Sequence, residues 1–219
     1  LIELITLCNL QKDNITAGHI GFIIGPRLNA AGRLKHAGIG VELLLTEDKI
    51  RAHELAVMLD DENKIRQQLV EETFIEAAEM VRQNGYDKST MIVAAGVNWH
   101  QGIIGIVASR LVDEFYRPAI VISIGEDGIG KGSCRSIKGF DICDALTACS
   151  DKLLAFGGHT MAAGLTVHVS GIDDFRKSIT EYADSKLKKE DLLPLIEIDQ
   201  VLRPEAVDKN LVDSLALLE

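Results

Sequence analysis

The sequence lacks the features that mark several classes of protein. It has four cysteines in 219 residues, and none stands in a CxxC pair or at the histidine spacing of a zinc site. No apolar run approaches the roughly 20 residues that cross a bilayer, and the first residues do not resemble a signal peptide. We therefore expect reduced, mostly buried thiols, no disulfide, no membrane span and a cytoplasmic location.

Positive charge is also scarce. The chain has 23 Lys and Arg against 33 Asp and Glu, which gives a formal net charge of −10. Such a balance argues against binding nucleic acid over the whole surface, because phosphate attraction requires cations. The charge is uneven, however, and we expect a local cationic surface formed by two segments without acids, 14–41 and 128–140, which carry Arg27, Arg33, Lys35, Lys131, Arg135 and Lys138.

Metal-binding patterns are absent as well. No paired carboxylates stand with histidine at metal-ligand spacing, so we expect no metal bound by this chain. The sequence begins without Met inside an apolar pattern and stops just after another apolar run. We expect parts of a longer protein to lie beyond both ends.

What is present predicts a folded α/β protein. Hydrophobic residues make up 47% of the chain, which is enough to bury a core. From about residue 47, apolar positions at helical intervals amid dense charge predict one long helix. After residue 89, buried strands alternate with helices, and the last predicted strand is 195–201. Before the long helix, short helices and a turn-rich segment over 27–40 are predicted.

The sharpest local motif is Gly157, Gly158 and His159. Paired glycines remove side chains where a backbone must come close, and an imidazole just beyond them can donate to an anion such as phosphate. The alternative is a glycine turn followed by an ordinary, partly buried histidine.

A second segment, GKGSCRS at 130–136, combines glycines, hydroxyls and cations. Its possible phosphate donors are the backbone N–H groups and the side chains of Lys131, Ser133, Arg135 and Ser136. The alternative is an exposed hairpin with solvated Lys and Arg.

Two further segments are weaker candidates. NWHQGIIG at 98–105 places Trp99 and His100 before a helix N-terminus, where an anion is favoured and Trp99 could stack a base; core packing of Trp99 is the alternative. GPRLNAAGR at 25–33 presents Arg27 and Arg33, whose guanidinium groups suit a phosphate clamp or structural ion pairs.

Together these four segments, in this order and with the long helix between the first two, resemble the RecJ family of the DHH phosphoesterase superfamily. The resemblance implies an α/β DHHA1-type domain with a central mixed sheet flanked by helices, preceded by a long connector helix and a helical N-terminal segment. It also implies four segments: the tail of a catalytic domain at 1–46, the connector at 47–88, the DHHA1 domain at 89–190, and the start of a following segment at 191–219.

The resemblance further implies function. The family hydrolyses single-stranded DNA from 5′ to 3′ in repair and recombination, with Mn²⁺ or Mg²⁺ held by motifs that this chain lacks, so the chain itself is expected to be inactive. Its implied partners are single-stranded DNA, a single-strand-binding protein and a helicase. His159 would contact phosphate near the scissile bond, and the implied nucleic-acid-binding residues are Arg27, Arg33, His100, Lys131, Ser133, Arg135, Ser136, Gly157 and Gly158.

Two other functions stay open at this point. One is a small-nucleotide phosphoesterase or oligoribonuclease of the same superfamily. The other is a nucleic-acid-binding module without catalysis.

Overall fold

The computed structural model describes residues 1–34 and 36–217, so the predicted cation Lys35 lies outside the described residues. The described chain divides into two compact units. One comprises residues 1–65 with the C-terminal residues from 195, and the other comprises residues 66–194. None of the described helices is long and apolar enough to cross a membrane.

The first unit is helical. Its helices are α1 (Ile2–Leu7), α2 (Ala17–His19), α3 (Gly25–Leu34), α4 (Gly38–Leu45), the first part of α5 (Lys49–Gln83) and α9 (Lys209–Ala216). Residues of α1, α3, α4 and α5 form a small core that includes the fully buried Leu4, Leu43, Leu55 and Leu59. The prediction of one long helix is confirmed by the 35 residues of α5.

The predicted turn-rich segment at 27–40 is wrong, because most of it is helical. Pro26 does not end the preceding helix, since a π-helical turn at Ile20–Ile24 leads directly into α3. In that turn the N–H of Gly25 bonds to the carbonyl of Ile20, and a Cβ at Gly25 would lie 2.8 Å from that oxygen. The wider turn precedes the proline, which is tolerated in the first turn of α3.

The second unit contains a five-stranded mixed sheet in the order β1-β2-β3-β5-β4. β1 (Ile92–Val97) and β2 (Ala119–Ile124) are parallel and joined by α6 (Ile104–Phe115). β3 (Ile129–Arg135), β5 (Ala162–His168) and β4 (Ala155–His159) follow in antiparallel pairs. The expected α/β class is therefore confirmed.

The two faces of this sheet differ. One face packs its apolar side chains against α7 (Ile142–Ala148) and α8 (Ile172–Lys186) in a core that includes Ile120, Leu165 and Phe175. On the other face, α6 packs on β2 and β3. Further along that face, the residues of β5 and β4 are small or polar and remain half-buried or exposed.

Two expectations about strands differ from the structure. For residues 157–159 the alternative of a glycine turn is wrong, because these residues belong to the edge strand β4. Residues 195–201, predicted as a strand, are in no strand of the described chain, and Ile196 is 86% exposed. An alternating apolar pattern forms a strand only where a neighbouring strand completes its hydrogen bonds.

The two glycines of β4 should differ sharply in their tolerance of a side chain. A Cβ at Gly158 would lie 2.4 Å from the Cα of Ala163, whereas a Cβ at Gly157 would meet nothing within 4 Å. We expect Gly158→Ala to lower the free energy of unfolding by about 2 kcal/mol, since backbone must move to relieve the overlap. Gly157→Ala should change it by less than about 0.5 kcal/mol.

Urea unfolding followed by the fluorescence of Trp99, the one tryptophan of the chain, measures this difference within the second unit. Equal losses in the two variants would contradict the observed orientation of β4.

Candidate nucleic-acid interface

The register of β3, β5 and β4 brings most of the predicted residues onto one face of the sheet. Successive residues of a strand point to opposite faces, and directly paired residues point to the same face. The pairs form three cross-strand rows: Arg135, Ala162 and His159; Ser133, Gly164 and Gly157; and Lys131, Thr166 and Ala155. We call the surface made by these nine residues the open face.

The middle of the open face is a shallow trough without large side chains. Gly157, Gly164, Ala155 and Ala162 form its floor, so a ligand can approach the backbone of β5 and β4 closely. A cavity of about 390 Å³ lies over part of it, and residues that line this cavity are Gln101, Ile104, Lys131, Gly132, Ser133, Ala155, Phe156, Gly164, Leu165 and Thr166.

Arg135 is held along β3 rather than by a carboxylate. Its Nη1 donates to the carbonyl of Cys134 at 2.8 Å and to the Oγ of Ser133 at 3.2 Å. A Cβ at Gly105, in the first turn of α6, would lie 3.0 Å from both the Nη2 of Arg135 and the Oγ of Ser133. The glycine thus leaves room for both side chains beside the helix.

Among the described residues, no acid forms an ion pair with the cations of the open face. Within residues 1–34 and 36–217, neither Lys131 nor Arg135 forms an ion pair. Lys131 and His159 are exposed, and Arg135 is half-buried. An unpaired guanidinium beside a trough is well suited to bind a phosphate.

Two predicted residues do not reach the open face. Ser136 is buried, and its hydroxyl donates to the carbonyl of Phe140 at 2.6 Å. Its predicted role in gripping phosphate is therefore not supported, because the hydroxyl proton is already used inside the protein. Gly158 pairs with the buried Ala163 and faces away from the trough. Its lack of a side chain serves packing between β4 and β5.

The structure decides between the two hypotheses for Trp99, base stacking and core packing. Trp99 is buried, and its Nε1 donates to Glu76 at 2.8 Å. A Cβ at Gly96 would lie 2.2 Å from the indole ring, so the strand fits Trp99 only because Gly96 has no side chain. Trp99 is a core residue, and the hypothesis that it stacks a base is wrong for this structure.

His100 lies beside this core residue but is exposed. Its Nδ1 accepts a hydrogen bond from the N–H of Gly102 at 3.0 Å, which holds the loop before α6. The next residue, Gln101, lines the cavity over the open face, although no sequence pattern singled it out. Its amide can both donate and accept, as a phosphate or a sugar hydroxyl requires.

Arg27 and Arg33 belong to the first unit, both on α3. The Nε of Arg27 donates to Asp60 at 2.8 Å, and its Nη1 donates to the carbonyl of Ile23 at 2.8 Å. Burial would raise the pKa of Asp60, but hydrogen bonds from Lys64 and Arg27 outweigh it and hold that pKa below its usual value. Arg27 thus joins α3 to α5 through a structural ion pair, whereas Arg33 is exposed.

A metal site is not evident among these side chains. In the part of the chain that the structure describes, no group of three or more His, Cys, Asp or Glu could hold a metal ion. We therefore assign no metal-dependent step to the described residues.

Comparison with known proteins places this geometry in a family. The DHHA1 domain family matches residues 88–185. The single-stranded-DNA-specific exonuclease RecJ of Bacillus subtilis is 45% identical over 219 residues, covering 100% of this chain and 28% of that protein. The chain belongs to the RecJ family. RecJ of Escherichia coli is 36% identical over 220 residues, covering 91% of this chain and 38% of that protein.

Solved structures of the RecJ family agree with the fold. The crystal structure of RecJ from Thermus thermophilus in complex with Mg²⁺ matches with a TM-score of 0.82 and 30% identity, covering 99% of this chain and 33% of that one. An exonuclease RecJ bound to manganese matches with a TM-score of 0.72 and 31% identity, over 83% of this chain and 44% of that one. The expected DHHA1-type fold is confirmed, while the limits of the four predicted segments stay a prediction.

The ion pair of Arg27 gives a prediction for the first unit. Arg27→Ala should lower the free energy of local unfolding of α3 by about 1–3 kcal/mol at neutral pH, because it removes a hydrogen bond to a buried carboxylate. Arg51→Ala is the matched control, since Arg51 pairs with Glu42 in an exposed ion pair that should contribute under about 1 kcal/mol. Hydrogen exchange of the α3 amides measures both variants.

The same ion pair predicts a dependence on pH. The pKa of Asp60 is lower in the folded state than in the unfolded state. The ionised carboxylate therefore stabilises the fold fully above the unfolded pKa of about 4, and this stabilisation is lost as pH falls through the folded pKa. The effect of Arg27→Ala should therefore diminish below about pH 4. An effect that is equally large in acid would contradict the role of the Asp60 charge.

Proposed function

We propose that the open face binds the sugar–phosphate backbone of single-stranded DNA, and that this chain is the substrate-clamping part of a 5′-to-3′ exonuclease that acts in DNA repair and recombination. The observation that carries the proposal is the alignment of Arg135, Ser133 and Lys131 on β3 beside a trough floored by glycine and alanine. The 5′-to-3′ direction rests on the family resemblance alone.

The arrangement favours contact with phosphates over contact with bases. Lys131, Ser133 and Arg135 point to one side at every second residue, so consecutive side chains are spaced by about 7 Å along the strand. Such a row can contact several phosphates of one extended strand. Contacts to phosphates carry no sequence information, so binding should depend little on nucleotide sequence.

His159 lies opposite Arg135 across a single residue of β5. Two strand spacings of about 4.8 Å separate the backbones of β3 and β4, so a phosphate over Ala162 has Arg135 on one side and His159 on the other. An imidazole N–H there donates to a phosphoryl oxygen and stabilises negative charge that develops on it. We propose this electrostatic support as the contribution of His159 to hydrolysis.

The metal chemistry is proposed for the whole protein. RecJ of Thermus thermophilus has been solved in complex with Mg²⁺ and in complex with Mn²⁺. This chain spans 28% of the Bacillus subtilis relative, and we propose that such a metal, held by residues outside this chain, activates the attacking water. The described residues bind and orient the strand, and the isolated chain should not cleave it.

The length of the open face bears on the size of its ligand. The row on β3 spans about 13 Å from Lys131 to Arg135, a length that favours a polymer over a single small nucleotide. A single-strand-binding protein and a helicase are proposed as partners of the whole protein on the family resemblance alone.

A binding experiment tests the proposal. The chain is titrated into a 5′-labelled oligothymidylate with Mn²⁺ present, anisotropy measures the dissociation constant at several salt concentrations, and a gel measures cleavage. We expect salt-sensitive binding without cleavage. Arg135→Ala and Lys131→Ala should each weaken binding by about tenfold and reduce the slope of log Kd against log salt by about one.

Matched controls separate the open face from the rest of the second unit. Lys177→Ala removes an exposed cation from α8, on the opposite side of the sheet, and should leave the dissociation constant unchanged. His159→Ala should weaken binding more than His168→Ala, which removes an exposed histidine at the far end of β5. The proposal would be contradicted if Lys177→Ala and Arg135→Ala changed the dissociation constant equally. It would also be contradicted if the dissociation constant did not depend on salt concentration.

A further inference from the structure

The turn that joins β4 to β5 is held by the segment before α7. Thr160 and Met161 form this hairpin turn, directly after His159. The hydroxyl of Thr160 donates to the Oδ2 of Asp141 at 2.7 Å. The N–H of Ile142 donates to the carbonyl of Thr160 at 3.1 Å, and the N–H of Ser136 donates to the carbonyl of Met161 at 3.0 Å.

Asp141 connects this turn to a helix with a single carboxylate. Its Oδ1 accepts hydrogen bonds from the N–H groups of Cys143 at 2.8 Å and Asp144 at 3.1 Å, which makes it the N-cap of α7. Its Oδ2 accepts the hydrogen bond from the hydroxyl of Thr160. The hydrogen bond from Thr160 is the largest cause that lowers the pKa of Asp141. One side of the carboxylate is therefore fixed by the helix, and the other side holds the turn.

This contact matters because His159 has little other support. β4 is an edge strand that pairs only with β5 among the described strands, and all five of its residues are exposed. His159 is its last residue, where a hairpin without a fixed turn would fray. Residues 159 and 160 are adjacent, so the position of Thr160 determines where the imidazole can lie.

We propose that Asp141 is a positioning residue that acts through Thr160 to hold His159 on the open face, across Ala162 from Arg135. The proposal rests on the proposed function, because it assigns Asp141 and Thr160 to the contact that His159 makes with the DNA backbone. Neither residue was selected from the sequence as part of a site.

The test uses three threonine variants of this chain. Thr160→Val removes the hydroxyl but keeps the shape, Thr160→Ser restores a donor, and Thr147→Val is the matched control. Thr147 is an exposed threonine of α7 whose hydroxyl donates to the carbonyl of Cys143, away from the turn. We expect Thr160→Val to weaken binding to labelled oligothymidylate by about threefold to tenfold, the net effect of one ordinary hydrogen bond. The loss should not exceed that of His159→Ala, because the hydroxyl acts on DNA only through the position of the imidazole. Thr160→Ser and Thr147→Val should bind like the parent.

A second pair of variants tests the carboxylate itself. Asp141→Ser keeps a good N-cap, but a single short side chain cannot both cap α7 and reach Thr160. Asp141→Ser should weaken DNA binding as much as Thr160→Val does. The variant that combines Asp141→Ser with Thr160→Val should bind no more weakly than either single variant. Asp144→Ser removes a charge from the same helical turn without a side-chain contact to Thr160, and it should have no effect.

Two readouts separate positioning from a general loss of structure. In a His159→Ala background, Thr160→Val should cause no further loss of affinity. The imidazole proton resonances of His159 should shift in Thr160→Val and Asp141→Ser but not in Thr147→Val. Full additivity of Thr160→Val with His159→Ala would overturn the proposal, because Thr160 would then act independently of the imidazole.

The variants distinguish a wrong role for His159 from a wrong positioning role for Asp141 and Thr160. If His159→Ala binds DNA as the parent does, the proposed role of His159 is wrong and the positioning role falls with it. If His159→Ala binds weakly while Thr160→Val and Asp141→Ser bind like the parent, only the positioning role is overturned.

Discussion

The antiparallel register between β3, β5 and β4 is the constraint on which the candidate interface depends. Because side chains alternate along each strand, one set of pairings places the cations of β3 and the imidazole of β4 on the same side. A shift of β4 by one residue would turn His159 toward α7 and bring Gly158 onto the open face. The overlap that any side chain at Gly158 would make with Ala163 shows how closely this register is packed.

Absent side chains shape the surface as much as the charged ones do. Gly157 and Gly164 leave the floor of the trough clear of side chains, while Gly105 leaves room for Arg135 and Ser133 beside α6. On the opposite face, a Cβ at Gly132 would lie 2.8 Å from the side chain of Leu165, so that glycine serves the core. A Cβ at Gly130 would likewise lie 2.8 Å from the side chain of Ile122. The glycines of segment 130–136 thus face the core, while Lys131, Ser133 and Arg135 point to the open face.

The sequence allowed the α/β order, the long helix and five residues of the open face to be predicted, because periodicity and local motifs determine these features. It did not reveal β4, since paired glycines have low strand propensity and the pairing with β5 is a tertiary effect. The burial of Trp99 and a structural ion pair of Arg27 were each open alternatives. Both depend on which distant residue lies opposite, and no local pattern determines that.

The most direct test of the account is an NMR titration of the isotopically labelled chain with oligothymidylate. The account predicts that the largest shift changes fall on the amides of β3, β5 and β4 around Ser133, Gly164 and Gly157, with α8 unaffected, and that added salt reverses them. Changes centred on α8, or confined to residues 1–65, would contradict the assignment of the open face as the DNA-binding surface.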